Sequence, residues 1–334
     1  MIKRLILILP LLMCAAFSGR AQYADSLSTE EPDSLPRSII SFLRSVDWPR
    51  QCTSVGVGQV INYSLGAGIK AWIKEERPDH SDFNSFPSRH ASTAFSLSYT
   101  IGNFMGQYSP WWLYGAHAVA NGVGFQRVMA ARHWPSDVMA GACIGVGINM
   151  LSGTIANWIF GKDLSFPYWY RNPNPFAGGM TISTCISMPL QRRFGAYRLG
   201  SALASNLRAT FPLGSTYGLC AGAQLLSGMV KDGDRRAPLT SASVMAGGTG
   251  HWHNGPYGLS AYAMGGYRRN IKCEDIDFGR NALVLNAGAQ GTIMLTRKLS
   301  VGAEAGYEFS TLRLGDCSRG VSTIYVGFLT RALF

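Results

Sequence analysis

Three polar clusters interrupt an otherwise apolar stretch between residues 70 and 137. In the first, "KAWIKEERP", Lys70 and Arg77 stand seven residues apart ahead of Pro78. Seven residues make about two helical turns, so both cations are expected on one helix face, with Pro78 ending the helix by pushing Arg77 toward extended backbone. Without a function they are charges on a solvated face. In the second, "FPSRH", Ser88 follows Pro87 and precedes an apolar run beginning at Ala91, the place of a helix N-cap. Backbone N–H groups there, with the Ser88 hydroxyl, make a cradle for an anion, and His90 stands beside it within reach of a proton transfer. A cap alone accounts for Ser88 but not for His90. In the third, "RVMAARHWPSD", Arg127 is followed by His133 and, four residues on, by Asp137, while Pro135 and Ser136 suggest another helix start. A carboxylate one turn away can hold one imidazole nitrogen and leave the other free to attack. Taken singly, His133 reads equally well as a structural histidine, and Arg132 as a surface charge.

Taken in order, Lys-x6-Arg-Pro, Pro-Ser-x-His and Arg-x5-His-x3-Asp resemble the type 2 phosphatidic acid phosphatase (PAP2) superfamily, which also includes bacterial acid phosphatases, glucose-6-phosphatases and vanadium haloperoxidases. Two positions depart from the family pattern: Arg89 replaces a common glycine, and Gln126 a common serine. The resemblance implies an all-helical bundle that needs no metal or other cofactor. It implies that His133 attacks phosphorus to form a phosphohistidine, with Asp137 orienting it, and that His90 protonates the leaving oxygen and later activates water. Lys70, Arg77, Ser88 and Arg127 would bind the phosphoryl oxygens, with Arg89 adding charge or narrowing the entrance. Such chemistry suits a substrate bringing about −1.5 to −2 charges, because phosphoryl transfer depends on positioning and on neutralising the equatorial oxygens. The sequence has no Asp/Glu cluster of the kind two-metal catalysis uses.

The elements that must position these residues are long, weakly charged apolar blocks at 54–73, 91–105, 111–129 and 138–160, broken by Pro, Gly and polar residues. Their length favours helices. A further segment at 37–46 extends the expected bundle to five or six. Freedom from charge is compatible with a membrane-embedded bundle, whereas richness in Gly, Ala, Ser and Asn suits close packing in a globular one.

Beyond "FPYWYRNPNPFAGG" the period changes to two. Along "LSVGAEAGYEF", Leu299, Val301, Ala303, Ala305, Tyr307 and Phe309 alternate with Ser300, Gly302, Glu304, Gly306 and Glu308. Similar strands are expected near 180–188, 195–211, 216–226, 241–251, 257–267, 282–295 and 321–334, about eight in all. Short turns at 212–216, 253–256 and 296–298 face longer charged loops near 229–240, 268–280 and 311–320, the layout of an outer-membrane barrel. Eight strands are filled by their own side chains, so an anchor is expected and not a pore. The alternative is a soluble barrel with its apolar face inward.

At 334 residues the chain has room for two domains. The fold class expected is therefore multidomain α and β: a signal peptide at 1–21, an all-α PAP2-type domain at 22–172 and an antiparallel barrel at 173–334. "MIKRLILILPLLMCAAFSGRAQ" carries Lys3 and Arg4, an apolar run and small residues ending at Ala21, the pattern of a secretory signal. Export, an outer-membrane location with the catalytic domain in the periplasm, and a final strand ending at Phe334 that barrel-assembly machinery would read all follow as expectations. The formal charge of +11 points to anionic lipid or phosphate; no nucleic-acid module is present. Cys273 and Cys317 lie in loop-like contexts that an oxidising compartment could join, with unpaired thiols as the alternative. The expected partner is a phosphorylated lipid, either a monoester or a diphosphate of the lipid A, phosphatidyl or isoprenyl class. Against it stand small soluble esters, and a barrel whose helical domain is not catalytic.

Overall fold

The structure, a computed structural model, describes residues 43–44, 46–105, 109, 111–161, 178–233, 235–254, 257–273, 278–296, 299–314 and 316–333. The segment at 1–21 expected as a signal, most of the 37–46 segment, most of the 166–179 linker and Phe334 lie outside the described residues. Among the described residues four helices precede a nine-stranded sheet.

Helix α1 spans Trp48–Trp72, α2 Arg89–Met105, α3 Trp111–Met129 and α4 Pro135–Ile159. The first begins ahead of the expected 54 because the Asp47 carboxylate accepts the Arg50 N–H at 3.3 Å and Pro49 takes a first-turn position where no N–H is required. It stops at Trp72, where Ile73 turns extended with φ −102° and ψ 94°. Arg77 is therefore not on the helix that carries Lys70, contrary to the two-turn reading. The following segment folds back on itself through a bridge between Glu75 and Asn84. Helices α2 and α4 approach closely because Gly141 and Gly145 lack side chains: a Cβ on either would run into the carbonyls of Ser88 and Ser92.

The strands are β1 (Gly179–Pro189), β2 (Arg193–Phe194), β3 (Tyr197–Pro212), β4 (Tyr217–Asp232), β5 (Arg235–Asn254), β6 (Tyr257–Cys273), β7 (Asn281–Thr296), β8 (Leu299–Leu314) and β9 (Cys317–Leu333). Pairing of β1 with both β9 and β3 closes eight of them into an antiparallel barrel, and β2 is a short addition to β3. The segments 229–240 and 311–320, expected as loops, are mostly strand: Lys231 pairs with Arg236 and Arg313 with Ser318 across two-residue connections. Their charges belong to extended hairpins. Cys317 is unpaired among the described side chains, and the side chain of Cys273 lies outside them.

The two faces of the barrel reverse the soluble arrangement. Inside, Arg208 pairs with Glu304 at 2.9 Å and Arg268 with Glu308 at 2.7 Å, while Tyr262 donates to Glu304 and bonds Tyr325 at 2.5 Å. Outside, Leu225, Val244, Leu283 and Leu285 are exposed. An apolar cluster of Phe194, Leu199, Val230, Leu239, Leu312, Leu314 and Val321 blocks the lumen at the end that carries β2. The lumen is filled, as expected for an anchor.

The bundle lies sideways on the outer wall formed by β9, β1 and β3. Tyr114 of α3 packs on Ile182 and Ala332, near the end where Gly179 pairs with Leu333. One turn on, His117 bonds Thr184 at 2.9 Å and Thr330 at 3.2 Å, and Thr184 donates to Asn121 at 2.6 Å. Farther along, Phe125 and Val128 meet Leu203 and Met229. Beyond the helix, Trp134 lies under Lys231 at 5.5 Å and Arg236 at 5.1 Å, at the opposite end of the barrel from Gly179 and Leu333.

Replacing Arg208 by Met should leave the buried Glu304 carboxylate without its cation and destabilise the barrel by about 3–5 kcal/mol. Urea unfolding in detergent measures this, and pairing the change with Glu304→Gln should recover most of the loss.

Candidate active site

The site forms where the α1–α2 connection meets the α3–α4 connection. Helix α3 ends at Met129, and Ala131, at φ 51°, turns the chain so that the N–H of His133 reaches the Arg127 carbonyl at 3.3 Å. Trp134 caps α4, and the Asp137 carboxylate in the first turn accepts the Trp134 N–H at 3.0 Å. The two connections are tied by three bonds through Ser85 and Ser88. The Ser85 carbonyl accepts from His133 Nδ1 at 2.8 Å, its hydroxyl donates to Asp137 Oδ2 at 2.5 Å, and the Ser88 N–H donates to the Asp137 carbonyl at 3.0 Å. On the rim, Trp134 Nε1 donates to the Glu76 carbonyl at 2.9 Å and Arg132 pairs with Asp79 at 3.0 Å.

This corrects the expected link between carboxylate and imidazole. Asp137 Oδ2 lies 3.9 Å from His133 Nδ1, beyond a hydrogen bond. A carbonyl can only accept, so His133 carries its proton on Nδ1 and its Nε2 lone pair is free. Asp137 acts one step back, fixing the serine and the tryptophan amide that frame the ring. Burial pushes the His133 pKa down to about 4; Lys70, Arg77 and His90 push the same way, and the Ser85 bond opposes them. The ring is neutral at ordinary pH.

The remaining expected residues surround this ring. Lys70, in the last turn of α1, donates to the Asn84 carbonyl at 2.5 Å. Arg77 is held by Asp82, through Nε at 2.8 Å and through its own N–H at 2.9 Å to the Asp82 carbonyl. The N–H of Asn84, with Arg77 also contributing, holds Asp82 below the usual carboxylate range. Arg127, in the last turn of α3, has its Nε buried without a protein partner among the described residues. The charges of Arg127, Arg77, Arg89 and Lys70 all act on His90, which is exposed in the first turn of α2. Two expected roles change in detail. Ser88 is buried and its N–H is spent on Asp137, so its amide is not part of an anion cradle, while its hydroxyl lies a long 3.5 Å from the Ala91 N–H. Arg89 leans away over the Tyr63 ring, 5.0 Å from its centroid. Ser85, Asn84 and Asp82 were not anticipated: all three act in part through backbone carbonyls, which residue type does not disclose.

Two imidazoles, one neutral with a free lone pair and one exposed, among several cations form a constellation able to position and neutralise an anionic group.

The model of the PAP2 superfamily matches residues 36–159. A lipid A 1-phosphatase of Porphyromonas gingivalis is 31% identical over 125 residues, 37% of this chain and 28% of that protein. A decaprenylphosphoryl-5-phosphoribose phosphatase of Mycobacterium tuberculosis is 24% identical over 129 residues, 35% of this chain and 70% of that one. The chain thus spans under a third of the length of the first of these relatives. The outer membrane protein OprG from Pseudomonas aeruginosa aligns with 46% of this chain and 95% of its own at 12% identity and a TM-score of 0.34. Residues 36–159 are a PAP2-family domain, joined in this chain to a closed eight-stranded antiparallel β-barrel.

Proposed function

We propose that the chain is an exported, outer-membrane-anchored phosphatase that hydrolyses a phosphate monoester or diphosphate on a lipid of the lipid A, phosphatidyl or isoprenyl class. The observation that carries this is the His133 tautomer. With Nδ1–H given to the Ser85 carbonyl, Nε2 faces the cationic pocket as a nucleophile. Nε2 attacks phosphorus and the P–O bond to the lipid breaks, His90 supplying the proton that turns the leaving oxygen into a hydroxyl. His90 then takes a proton from water, the resulting hydroxide attacks phosphorus, the P–N bond breaks and inorganic phosphate leaves. Lys70, Arg77 and Arg127 neutralise the equatorial oxygens in both steps. Asp137 serves as a positioning residue through Ser85, and Arg89 guards the entrance. The lipid class is supported by the names of the two relatives and by the apolar exterior of the barrel, which suits an outer-membrane anchor assembled by the usual barrel machinery.

A second reading, hydrolysis of small soluble esters, is favoured by the exposure of His90 and Arg89. Phosphate release by the full chain in lipid vesicles, from lipid A, phosphatidic acid, an isoprenyl diphosphate and a chromogenic ester, separates the two; preference for the chromogenic ester selects the second.

His133→Ala should abolish release and the acid-labile phosphoenzyme together, and undiminished turnover would sink the mechanism. His90→Ala should lower kcat by roughly 10²–10⁴. The pH profile carries a sign: because the folded-state pKa of His133 is depressed to about 4, the nucleophile is neutral above that pH and protonated below it. The acid limb of kcat/KM should therefore fall near pH 4 and not near the ordinary histidine value of about 6.5.

A further inference from the structure

The helical domain carries more apolar surface than a water-exposed domain needs, and that surface is ordered by level. No Asp, Glu, Lys or Arg occurs in residues 51–69 of α1, 91–105 of α2, 111–126 of α3 or 138–159 of α4. At 1.5 Å per residue these stretches rise about 22–33 Å, close to the ~30 Å of a bilayer's hydrocarbon. Within them Val60, Leu97, Val119 and Leu151 are exposed, as are Leu225, Val244 and Leu283 of the barrel to which the bundle is docked. Exposed tryptophans mark the edges. Trp48, Trp111, Trp112 and Trp158 lie at the end that bears Gly179 and Leu333, as do Tyr217, Trp252 and Tyr257 of the barrel, and Trp72 lies at the other end. Aromatic side chains gather at the two interfaces of a membrane.

The contact between bundle and barrel fits the same medium. Thr184 and Thr330 face outward on β1 and β9, where a bare barrel would present apolar side chains to lipid. Each is instead bonded to His117, with Asn121 and Tyr99 completing the cluster. All five are buried, and polar groups joined across an interface hold protein surfaces together where water is absent. Among the described residues only α4 has the hydropathy of an ordinary membrane span. The other helices are diluted by Gly, Ser, Thr and Asn, several of which bond within the bundle, as Asn149 does to Thr100 at 2.6 Å and Asn62 to Thr93 at 3.3 Å.

We infer that the helical domain shares the bilayer of the barrel, its uncovered flank facing hydrocarbon, and that the catalytic pocket opens at the headgroup level of the outer leaflet. The leaflet follows from the connections. At the end bearing Gly179 and Leu333 they are residues 213–216, 255–256 and 297–298; at the end bearing His133 and Trp134, two of the four, 190–196 and 274–280, have seven residues. In outer-membrane barrels the short turns are periplasmic and the longer loops external. The pocket thus lies opposite the periplasmic side on which the sequence alone places the catalytic domain. Its lipid would come laterally from the outer leaflet, with Lys70, Arg77, Arg89, Lys231 and Arg236 as a cationic rim for anionic headgroups.

The test needs no catalysis and so fails or succeeds independently of the phosphatase reading. Val119→Asp and Val244→Asp are made in the full chain reconstituted in phospholipid vesicles, and the urea midpoint is measured. Embedding requires the helix substitution to lower the midpoint as much as the barrel one does; a midpoint equal to that of the parent chain, the result for a water-exposed helix, overturns it. For the leaflet, an epitope is inserted at Gly233 in one variant and at Gly214 in another, each confirmed as folded by heat-modifiable gel mobility. Antibody should reach the tag at Gly233 on intact cells and the tag at Gly214 only after permeabilisation; any other pattern overturns the assignment.

Discussion

Everything the site can do depends on one proton. The Nδ1–H of His133 is committed to the Ser85 carbonyl, and that commitment leaves Nε2 with its lone pair in a pocket of cations. The carbonyl is held because Ser85 is pinned at its other end by Asp137, itself wholly buried at the start of α4. The buried carboxylate is compensated by the serine hydroxyl and the Trp134 amide, so its charge is spent on geometry. The α1–α2 connection is consequently fastened to the start of α4, and the close contact of α2 with α4 at Gly141 carries this geometry to the first turn that bears His90.

Residue types and their spacing picked out side chains that the fold brings close together, but not the bonds that hold them. Lys70, His90, Arg127, His133 and Asp137 stand around one pocket because each sits at a helix end or in the adjoining turn, places that Pro78, Pro87 and Pro135 already mark. Arg77 was misplaced on a helix because its spacing from Lys70 fits two turns; Asp82 and the Glu75–Asn84 bridge capture the chain first. Ser85 gave no signal, since one of its two contacts is made by a backbone carbonyl that every residue has. In the barrel, period-two alternation located all eight strands, yet charged residues at 231–236 were read as loop. A hairpin that rises to the barrel rim tolerates charge on its outer face without ceasing to be a strand.

The two halves are each other's missing solvent. Outward-facing Thr184 and Thr330 are poor residues for a lipid-facing wall, and His117 is a poor residue for an apolar helix, until they meet. Such matched exceptions are consistent with one assembled unit and not with two domains joined by a flexible tether. They also explain why composition left the medium of the bundle open: several of its polar side chains bond inside the protein, as His117, Asn149 and Thr184 do, so average hydropathy understates how apolar its outer surface is.

The blocked lumen reaches beyond this protein. Salt-bridged Arg208–Glu304 and Arg268–Glu308 fill the middle of the barrel, and Phe194 with its apolar neighbours closes one mouth. A domain mounted on such a plug can be made in any number of copies without adding a leak, so a cell could raise its abundance while the sieving of antibiotics and nutrients by its envelope stayed as it was.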